Sequence, residues 1–175
     1  GGACALRGQR GRERDVKRHP DLRSLSDDHH TALVLARRTR RAAERGGDDA
    51  GVLEAQWRDV VRAFADELEP HFAIEERWLL PRLEAAGETR LVERNCADHA
   101  RLRELVRESS SAPVLAEFAA LLERHVRFEE REVFVRFEEL LAEYEDASMR
   151  GLCSDGAWEA AIGALRSARR NAQRD

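Results

Sequence analysis

Apolar residues recur every three or four positions along most of the chain, which is the spacing that lines one face of an α-helix. The pattern begins at Asp21 and forms four long stretches, separated by turns that contain glycine, serine or proline. No stretch of any length alternates apolar and polar residues as a half-buried strand does. The pattern therefore predicts an all-α fold, an antiparallel up-down-up-down four-helix bundle, because long amphipathic helices joined by short loops pack in this way.

Each predicted helix carries one inward-facing stripe. The first helix ends at the turn Gly46–Asp49, the second runs from near Val52 to Ala85, the third covers about residues 88–108, and the fourth follows the loop Ser109–Pro113. In chain order, the four stripes are Leu22, Leu25, His29, Leu33 and Ala36; then Trp57, Val61, Phe64, Leu68, His71, Glu75 and Leu79; then Val92, Cys96, His99, Leu102 and Val106; and then Phe118, Leu122, His125, Glu129, Val133, Phe137 and Leu140.

Two prolines, Pro70 and Pro81, lie inside the second predicted helix. A proline inside a helix removes one backbone hydrogen bond and ordinarily kinks the helix. We therefore expect a bend in the second helix beside His71.

The two ends of the chain differ from the helical region. Residues 1–20 are rich in glycine and arginine and show no periodicity, so we expect a disordered leader. Residues 21–145 form the predicted bundle. Residues 146–175 are expected to be a C-terminal extension with a short additional helix at about 155–170.

Six of the inward-facing residues are strongly polar, which is costly inside a bundle unless the side chains are paired or bind a metal ion. They are His29, His71, Glu75, His99, His125 and Glu129. The pattern HxxxE occurs twice among them and places a His and a Glu one helical turn apart on the same face. One buried His is usually an ordinary core residue, but six such side chains directed at one core predict a metal site.

The ligand count indicates two metal ions. Four imidazoles give two nitrogens to each ion, and two carboxylates that both bridge give each ion four protein ligands. An oxide or hydroxide bridge would be a fifth ligand, which leaves an octahedral ion one open position for a small molecule such as dioxygen. Mixed imidazole and carboxylate ligands suit iron or manganese and also tolerate zinc.

Several residues near these six have two interpretations. His29 is preferred to His30 as the first-helix ligand because it is in phase with the apolar stripe. Asp28 and Asp98 precede candidate ligands and could orient an imidazole from outside, although helix-start charge is the simpler interpretation. Cys96, three residues before His99, would be a thiol near the site or, more simply, a small core residue.

The remaining acids of the two HxxxE segments are Glu76, Glu130 and Glu132. The first two lie about 100° away from the ligand face of their helices. All three are interpreted as solvated residues or as outer contacts of the site.

Composition narrows the class of protein and its partners. The net charge of −4 does not favour a nucleic-acid partner. No apolar run approaches the ~20 residues of a membrane span, so no membrane partner is expected. The three cysteines are widely spaced and form no CxxC, which indicates neither a disulfide framework nor a thiolate zinc site. We expect a cytoplasmic protein without a signal peptide.

The motifs resemble those of the hemerythrin-like, or HHE cation-binding, family. The resemblance rests on Asp28-His29, on His71-Phe-Ala-Ile-Glu75-Glu76, on Asp98-His99 and on His125-Val-Arg-Phe-Glu129-Glu130, and it covers about residues 21–145. It implies an antiparallel four-helix bundle that holds a non-haem di-iron centre.

Two positions differ from the oxygen carriers of that family, which have five His and two carboxylates. Arg103 stands where they have a further His, four residues after His99, and the fourth helix carries Glu129. The chain is more similar to members with four His and two Glu, which include iron-sulfur-cluster repair proteins and an iron- and oxygen-sensing domain. The repair proteins usually carry an N-terminal domain that bears a cysteine, and we expect no such domain in residues 1–20.

A ferritin-like site is the nearest structural rival, and it would place a Glu three residues before a His. The residues at that spacing here are Ser26, Leu68, Cys96 and Leu122, so none fits.

Three functions remain open from the sequence. The first is a di-iron protein that binds or senses a small oxidant such as dioxygen, nitric oxide or peroxide. The second is a di-iron enzyme that repairs iron-sulfur clusters or reduces nitric oxide or peroxide. The third is a helical interaction module with a structural metal, for which the sequence identifies no protein partner.

Overall fold

The computed structural model of the chain describes residues 20–46 and 49–146. Within these ranges the structure contains four helices and no strand: α1 (Pro20–Gly46), α2 (50–85), α3 (Thr89–Leu105) and α4 (112–146). The predicted all-α fold is therefore confirmed for this part of the chain. The expected leader and the expected helix at about 155–170 lie outside the described residues, apart from Pro20. No helix in the described ranges combines the length and apolar character that a membrane crossing requires.

Short polar motifs set the helix ends. Asp49 precedes α2, and its carboxylate accepts hydrogen bonds from the backbone N–H groups of Gly51 at 3.0 Å and Val52 at 3.2 Å. Ser111 precedes α4, and its hydroxyl accepts a 3.4 Å hydrogen bond from the N–H of Val114. Gly87 ends α2 with φ of 85°, a left-handed conformation that favours glycine.

The two prolines of α2 do not interrupt the helix. A regular α-helix would require an N–H at residue 70 and would bring the proline ring against the carbonyl four residues earlier. Instead, π-helical turns at Phe64–Leu68 and Glu75–Leu79 end two residues before Pro70 and Pro81 respectively, and α2 continues beyond each of them. Each proline is thus accommodated by a widened turn that precedes it, and the expected bend beside His71 stays a prediction.

Two hydrophobic clusters form the core, and each draws residues from more than two helices. The first cluster contains Ala32, Leu35 and Ala36 of α1; Leu53, Trp57, Val60, Phe64, Leu68 and Phe72 of α2; Leu102 and Leu105 of α3; and Leu115, Phe118, Leu121, Leu122 and Val126 of α4. The second cluster contains Leu22 and Leu25 of α1; Ile74, Leu79, Leu80 and Leu83 of α2; and Phe128, Val133, Phe134, Phe137 and Leu140 of α4, with Leu91 and Val92 of α3 against it.

A polar layer lies between these clusters on every helix. His29 follows the second-cluster residues of α1 and precedes those of the first cluster, and His99 has the same placing on α3. On α2 and α4 the order is reversed: His71 and His125 follow most of the first-cluster residues of their helix and precede its second-cluster residues. The core therefore surrounds the buried imidazoles with apolar residues on both sides.

The predicted stripes are wrong by one residue at two places. Val61 is 41% exposed, and Val60 is fully buried in its place. Cys96 is exposed, and Asn95 is fully buried in its place. Spacings of three and four residues both fit a helical face, so the pattern could not separate these neighbours.

Candidate metal centre

The six polar residues predicted from the stripes meet in one buried place. They form two groups, and within each group the potential ligand atoms lie within 4.8 Å of one another. The first group is His29, His71, Glu75 and Glu129, and the second is Glu75, His99, His125 and Glu129. The two groups share both carboxylates, and all six side chains are at most 3% exposed.

The imidazoles of the first group turn their Nε2 atoms toward each other and toward the carboxylates. His29 Nε2 lies 3.2 Å from His71 Nε2 and 3.0 Å from Glu129 Oε2. His71 Nε2 lies 3.2 Å from Glu75 Oε1. Two nitrogens and two oxygens thus converge in the first group.

The second group repeats this arrangement with the other two imidazoles. His99 Nε2 lies 3.4 Å from Glu75 Oε2, and His125 Nε2 lies 3.3 Å from Glu129 Oε2. Glu75 therefore turns one oxygen toward each group, whereas Glu129 Oε2 faces an imidazole of each group.

Several of these atoms are buried without a hydrogen-bond partner among the described residues. They are both oxygens of Glu75, Nε2 of His99, both ring nitrogens of His125 and Oε2 of Glu129. Leaving a buried polar atom unpaired costs about 1–3 kcal/mol, and more for a charged group. Cations between the Nε2 atoms and the carboxylate oxygens would satisfy all of these atoms except Nδ1 of His125, so the donor set fits metal ions, and two shared carboxylates fit a pair of them.

A second set of four carboxylates, which we call the outer ring, faces the Nδ1 atoms of the same imidazoles. Asp28 lies 3.1 Å from Nδ1 of His71, and Glu76 lies 2.8 Å from that of His99. Glu130 lies 2.6 Å from Nδ1 of His29. In the fourth pair, Oδ2 of Asp98 lies 3.6 Å from Nδ1 of His125.

The outer ring runs from each helix to the next and closes on itself. An acid of α1 serves the imidazole of α2, an acid of α2 that of α3, an acid of α3 that of α4, and an acid of α4 that of α1. A carboxylate at Nδ1 fixes the ring orientation and leaves Nε2 free to bind a metal.

The outer ring resolves the open interpretations of nearby acids. Asp28 and Asp98 face imidazoles of neighbouring helices, which agrees with an orienting role rather than helix-start charge alone. Glu76 and Glu130 are outer contacts of the site. Glu132 lies on the surface and approaches Arg94, away from the site.

His30 and Cys96 are both exposed, so neither belongs to the buried group. The structure therefore places His29, rather than His30, beside the other imidazoles. The interpretation of Cys96 as a thiol near the site or as a core residue is wrong, because its helix turns Asn95 inward at that point.

Arg103 fixes one member of the outer ring. Its guanidinium donates to Glu76 Oε1 at 2.7 Å and to Glu69 Oε2 at 2.9 Å. The position that distinguishes this chain from a five-His pattern thus carries an arginine that holds the carboxylate behind His99.

Aromatic rings pack against the imidazoles. Phe72 stacks on His99 with a centroid distance of 3.9 Å, and its edge faces His125 at 5.4 Å. Phe134 stacks on His29 at 5.0 Å. These rings limit rotation of the imidazoles and exclude water from them.

The carboxylates favour the protonated forms of His71 and His99 in the metal-free protein. Burial works to lower the pKa of His71, but the charge of Glu75 and the hydrogen bond to Asp28 outweigh it and raise that pKa to about 10. Burial likewise works to lower the pKa of His99, but the adjacent carboxylates of Glu75 and Glu76 outweigh it and raise that pKa to about 9. The pKa of Glu75 falls well below its usual range, because the adjacent imidazoles outweigh its burial.

Sequence reasoning missed Asn95. This residue is fully buried on α3, one helical turn before His99, and its Nδ2 donates a 2.7 Å hydrogen bond to Glu129 Oε1. Its spacing of four residues from His99 was the available signal.

A small cavity adjoins the first group. Asp28, His29, His71, His125 and Glu129 form its polar wall, and Ala32, Leu68, Phe72, Leu122 and Val126 form its apolar wall, with Glu67 also lining it. A small molecule in this cavity would be in contact with imidazoles of both groups.

Comparison with known proteins gave one match. A family model described as the hemerythrin HHE cation binding domain matches residues 21–137, which include all six buried residues of the two groups. Searches of curated proteins and of solved structures each found no significant match.

Proposed function

Because this chain belongs to the hemerythrin HHE cation binding domain family, we propose that it is a non-haem di-iron protein that binds or senses a small oxidant. The observation that carries the proposal is the pair of buried four-residue groups with two shared carboxylates. In this proposal the six residues predicted from the sequence are the metal ligands. Iron held there would supply one-electron chemistry toward dioxygen, nitric oxide or peroxide.

The donor types support iron over the alternatives. Imidazole nitrogens and carboxylate oxygens together suit iron and manganese and tolerate zinc, whereas a structural zinc site commonly uses thiolates. The cysteine among the described residues, Cys96, is exposed and takes no part. We therefore keep two iron ions as the proposed cofactor, with manganese and zinc as the less favoured metals.

The proposed arrangement of the helices is the antiparallel up-down-up-down bundle. It is supported by the order in which each helix passes the two clusters: α1 and α3 run from the second cluster to the first, and α2 and α4 run from the first to the second. We also propose a cytoplasmic location. The three cysteines are widely spaced and indicate no disulfide framework, which agrees with a reducing compartment.

The cavity supports a small and largely apolar ligand. Five of its eleven lining residues are aliphatic or aromatic, five belong to the two groups or the outer ring, and the last is Glu67. Dioxygen and nitric oxide match such a wall, because neither carries a charge that would have to be desolvated.

The ligand set is tested by Glu75→Ala. Removing a carboxylate shared by both groups should lower metal content well below two ions per chain. Glu132→Ala is the matched control, because Glu132 is an exposed acid on the surface of α4. Full occupancy in Glu75→Ala would contradict the proposed ligands.

The ligand itself is tested with the reduced protein. The reduced protein is prepared without oxygen, and dioxygen or nitric oxide is then added in measured steps. The absorption spectrum should change, with an end point near one equivalent per chain. Turnover of many equivalents would favour the second candidate, an enzyme. The absence of any spectral change would contradict both.

A further inference from the structure

The two shared carboxylates are held differently, and Asn95 causes the difference. Both oxygens of Glu75 are buried without a hydrogen-bond partner among the described residues, and each faces a different group. Glu129 has one oxygen, Oε1, bonded to Asn95 Nδ2 at 2.7 Å. Only its other oxygen, Oε2, lacks a hydrogen-bond partner in the described part of the chain.

The direction of the Asn95 hydrogen bond is fixed by chemistry. An ionised carboxylate accepts hydrogen bonds and cannot donate, so the amide nitrogen must face Glu129. With that nitrogen engaged, Oδ1 of Asn95 is left buried without a partner among the described residues. A side chain that only filled space would be more stable as an apolar residue at this position.

The distances around Glu129 show what this hydrogen bond achieves. Oε2 lies 3.0 Å from His29 Nε2 and 3.3 Å from His125 Nε2, so one oxygen is close to an imidazole of each group. Oε1 lies 3.9 Å from His99 Nε2. Rotation of the carboxylate would bring Oε1 into the second group, and the Asn95 donor opposes that rotation.

We propose that Asn95 is a positioning residue: its hydrogen bond to Oε1 holds the Glu129 carboxylate so that Oε2 lies beside an imidazole of each group, while Glu75 turns one oxygen toward each group. This inference rests on the proposed metal site and assigns different roles to its two shared carboxylates.

The test uses Mn(II) as the probe, because Mn(II) reports the coupling between two ions by electron paramagnetic resonance. Metal-free wild-type protein and the Asn95→Leu variant are loaded with Mn(II) under nitrogen. Asn95→Leu should retain two ions per chain but give a shifted exchange-coupled spectrum, because the Glu129 carboxylate is no longer held through Oε1 and can rotate between the two ions. Ala97→Leu, on the exposed side of the same helix, is the matched control and should give the wild-type spectrum.

A wild-type spectrum from Asn95→Leu with two bound ions would overturn the inference. Should Asn95→Leu fail to fold, as judged by circular dichroism, Asn95→Ala takes its place, since it removes the donor without adding bulk. Glu129→Ala distinguishes a failure of the proposed ligand set from a failure of the proposed role of Asn95. If Glu129→Ala keeps two ions, the proposed ligand set fails; if it loses metal and the Asn95 variants leave the spectrum unchanged, only the role of Asn95 fails.

Discussion

Each imidazole of the centre is positioned by contacts on both sides of its ring. Nε2 faces the shared carboxylates, and Nδ1 faces an acid supplied by a neighbouring helix. Because the Nδ1 contacts do not depend on a metal ion, they orient the donors before a metal arrives. Loss of such an outer partner typically costs about 10–100-fold in metal affinity.

Arg103 provides a test of this outer support. Arg103→Leu removes the guanidinium that holds Glu76, so Glu76 can swing away from His99. We expect metal affinity to fall about tenfold, which is the low end of the range for outer partners. The effect is small because Arg103 acts on His99 only through Glu76. Competition with a chromophoric chelator measures it. Arg101→Leu, which breaks only ion pairs of α3 with surface acids, should leave affinity unchanged.

Protons compete with the metal for the same nitrogens. In the metal-free protein the pKa of His71 is raised from 6.5 to about 10 and that of His99 to about 9, so both are protonated at pH 7. Against its burial, the pKa of His29 is also raised by Glu129 and Glu130, so metal loading near pH 7.5 should release at least about two protons per chain, and affinity should rise with pH. Calorimetry in two buffers of different ionisation enthalpy counts the protons. A release of none would contradict the protonated state of these imidazoles.

The free energy of unfolding of the metal-free protein should fall as pH rises, whereas its metal affinity rises. A His whose pKa is raised by folding contributes stability that is fully present below about 6.5 and is lost as pH rises through the folded value. The contributions of His99 and His71 should therefore disappear between about pH 7 and pH 10. Urea unfolding of the chelated protein across this range measures the loss.

The sequence identified the six buried polar residues, but it offered their outer partners only as one of two interpretations and did not say which acid faces which imidazole. His29 could be separated from His30 because burial follows the phase of a single helix. The pairing of Asp28 with His71 crosses between helices and depends on which helices are neighbours, which a stripe does not encode. Asn95 was missed because Cys96, three residues before His99, fits the same helical face as Asn95, four residues before it, and the less polar of the two was assigned to the stripe.

At the scale of the helices, π-helical turns coincide with the shared carboxylates. Glu75 begins the turn Glu75–Leu79, and Glu129 begins the turn Glu129–Val133. Such turns are often found at functional sites, because they shift the register of the residues on either side. Pro81 gave a sequence signal for the first of them, whereas the turn in α4 contains no proline and could not be foreseen.

The end of α2 makes a prediction about stability. Gly87 has φ of 85°, and a Cβ added there would meet no atom within 4 Å. Gly87→Ala should therefore lower the free energy of unfolding by about 1–2 kcal/mol through backbone strain alone, without changing metal content. Chemical denaturation and metal analysis of the same sample measure both. Unchanged stability would contradict the left-handed end of α2.

At the scale of the whole molecule, two apolar clusters enclose one polar layer. The clusters bury large aliphatic and aromatic side chains on both sides of the imidazoles, and this burial does not require a metal. The fold should therefore survive chelation, while the unpaired atoms of the polar layer make the metal-free state less stable. Binding to the folded state alone then adds stability by mass action.

Removal of the metal tests this balance. The chelated protein should keep its helical circular dichroism, and free metal at a hundredfold excess over Kd should add about 2.7 kcal/mol. For a domain of this size, that corresponds to a rise in melting temperature of roughly 5–10 °C. An unchanged melting temperature would favour a metal-independent interaction module, and complete loss of helicity on chelation would indicate a structural metal instead.

We propose that the two buried groups, which share Glu75 and Glu129, hold a pair of iron ions. Its most direct test is elemental analysis of the aerobically purified protein, together with its absorption spectrum. We expect two irons per chain and an oxo-to-iron charge-transfer absorption band that depends on oxygen. A colourless protein that contains zinc and no iron would contradict it.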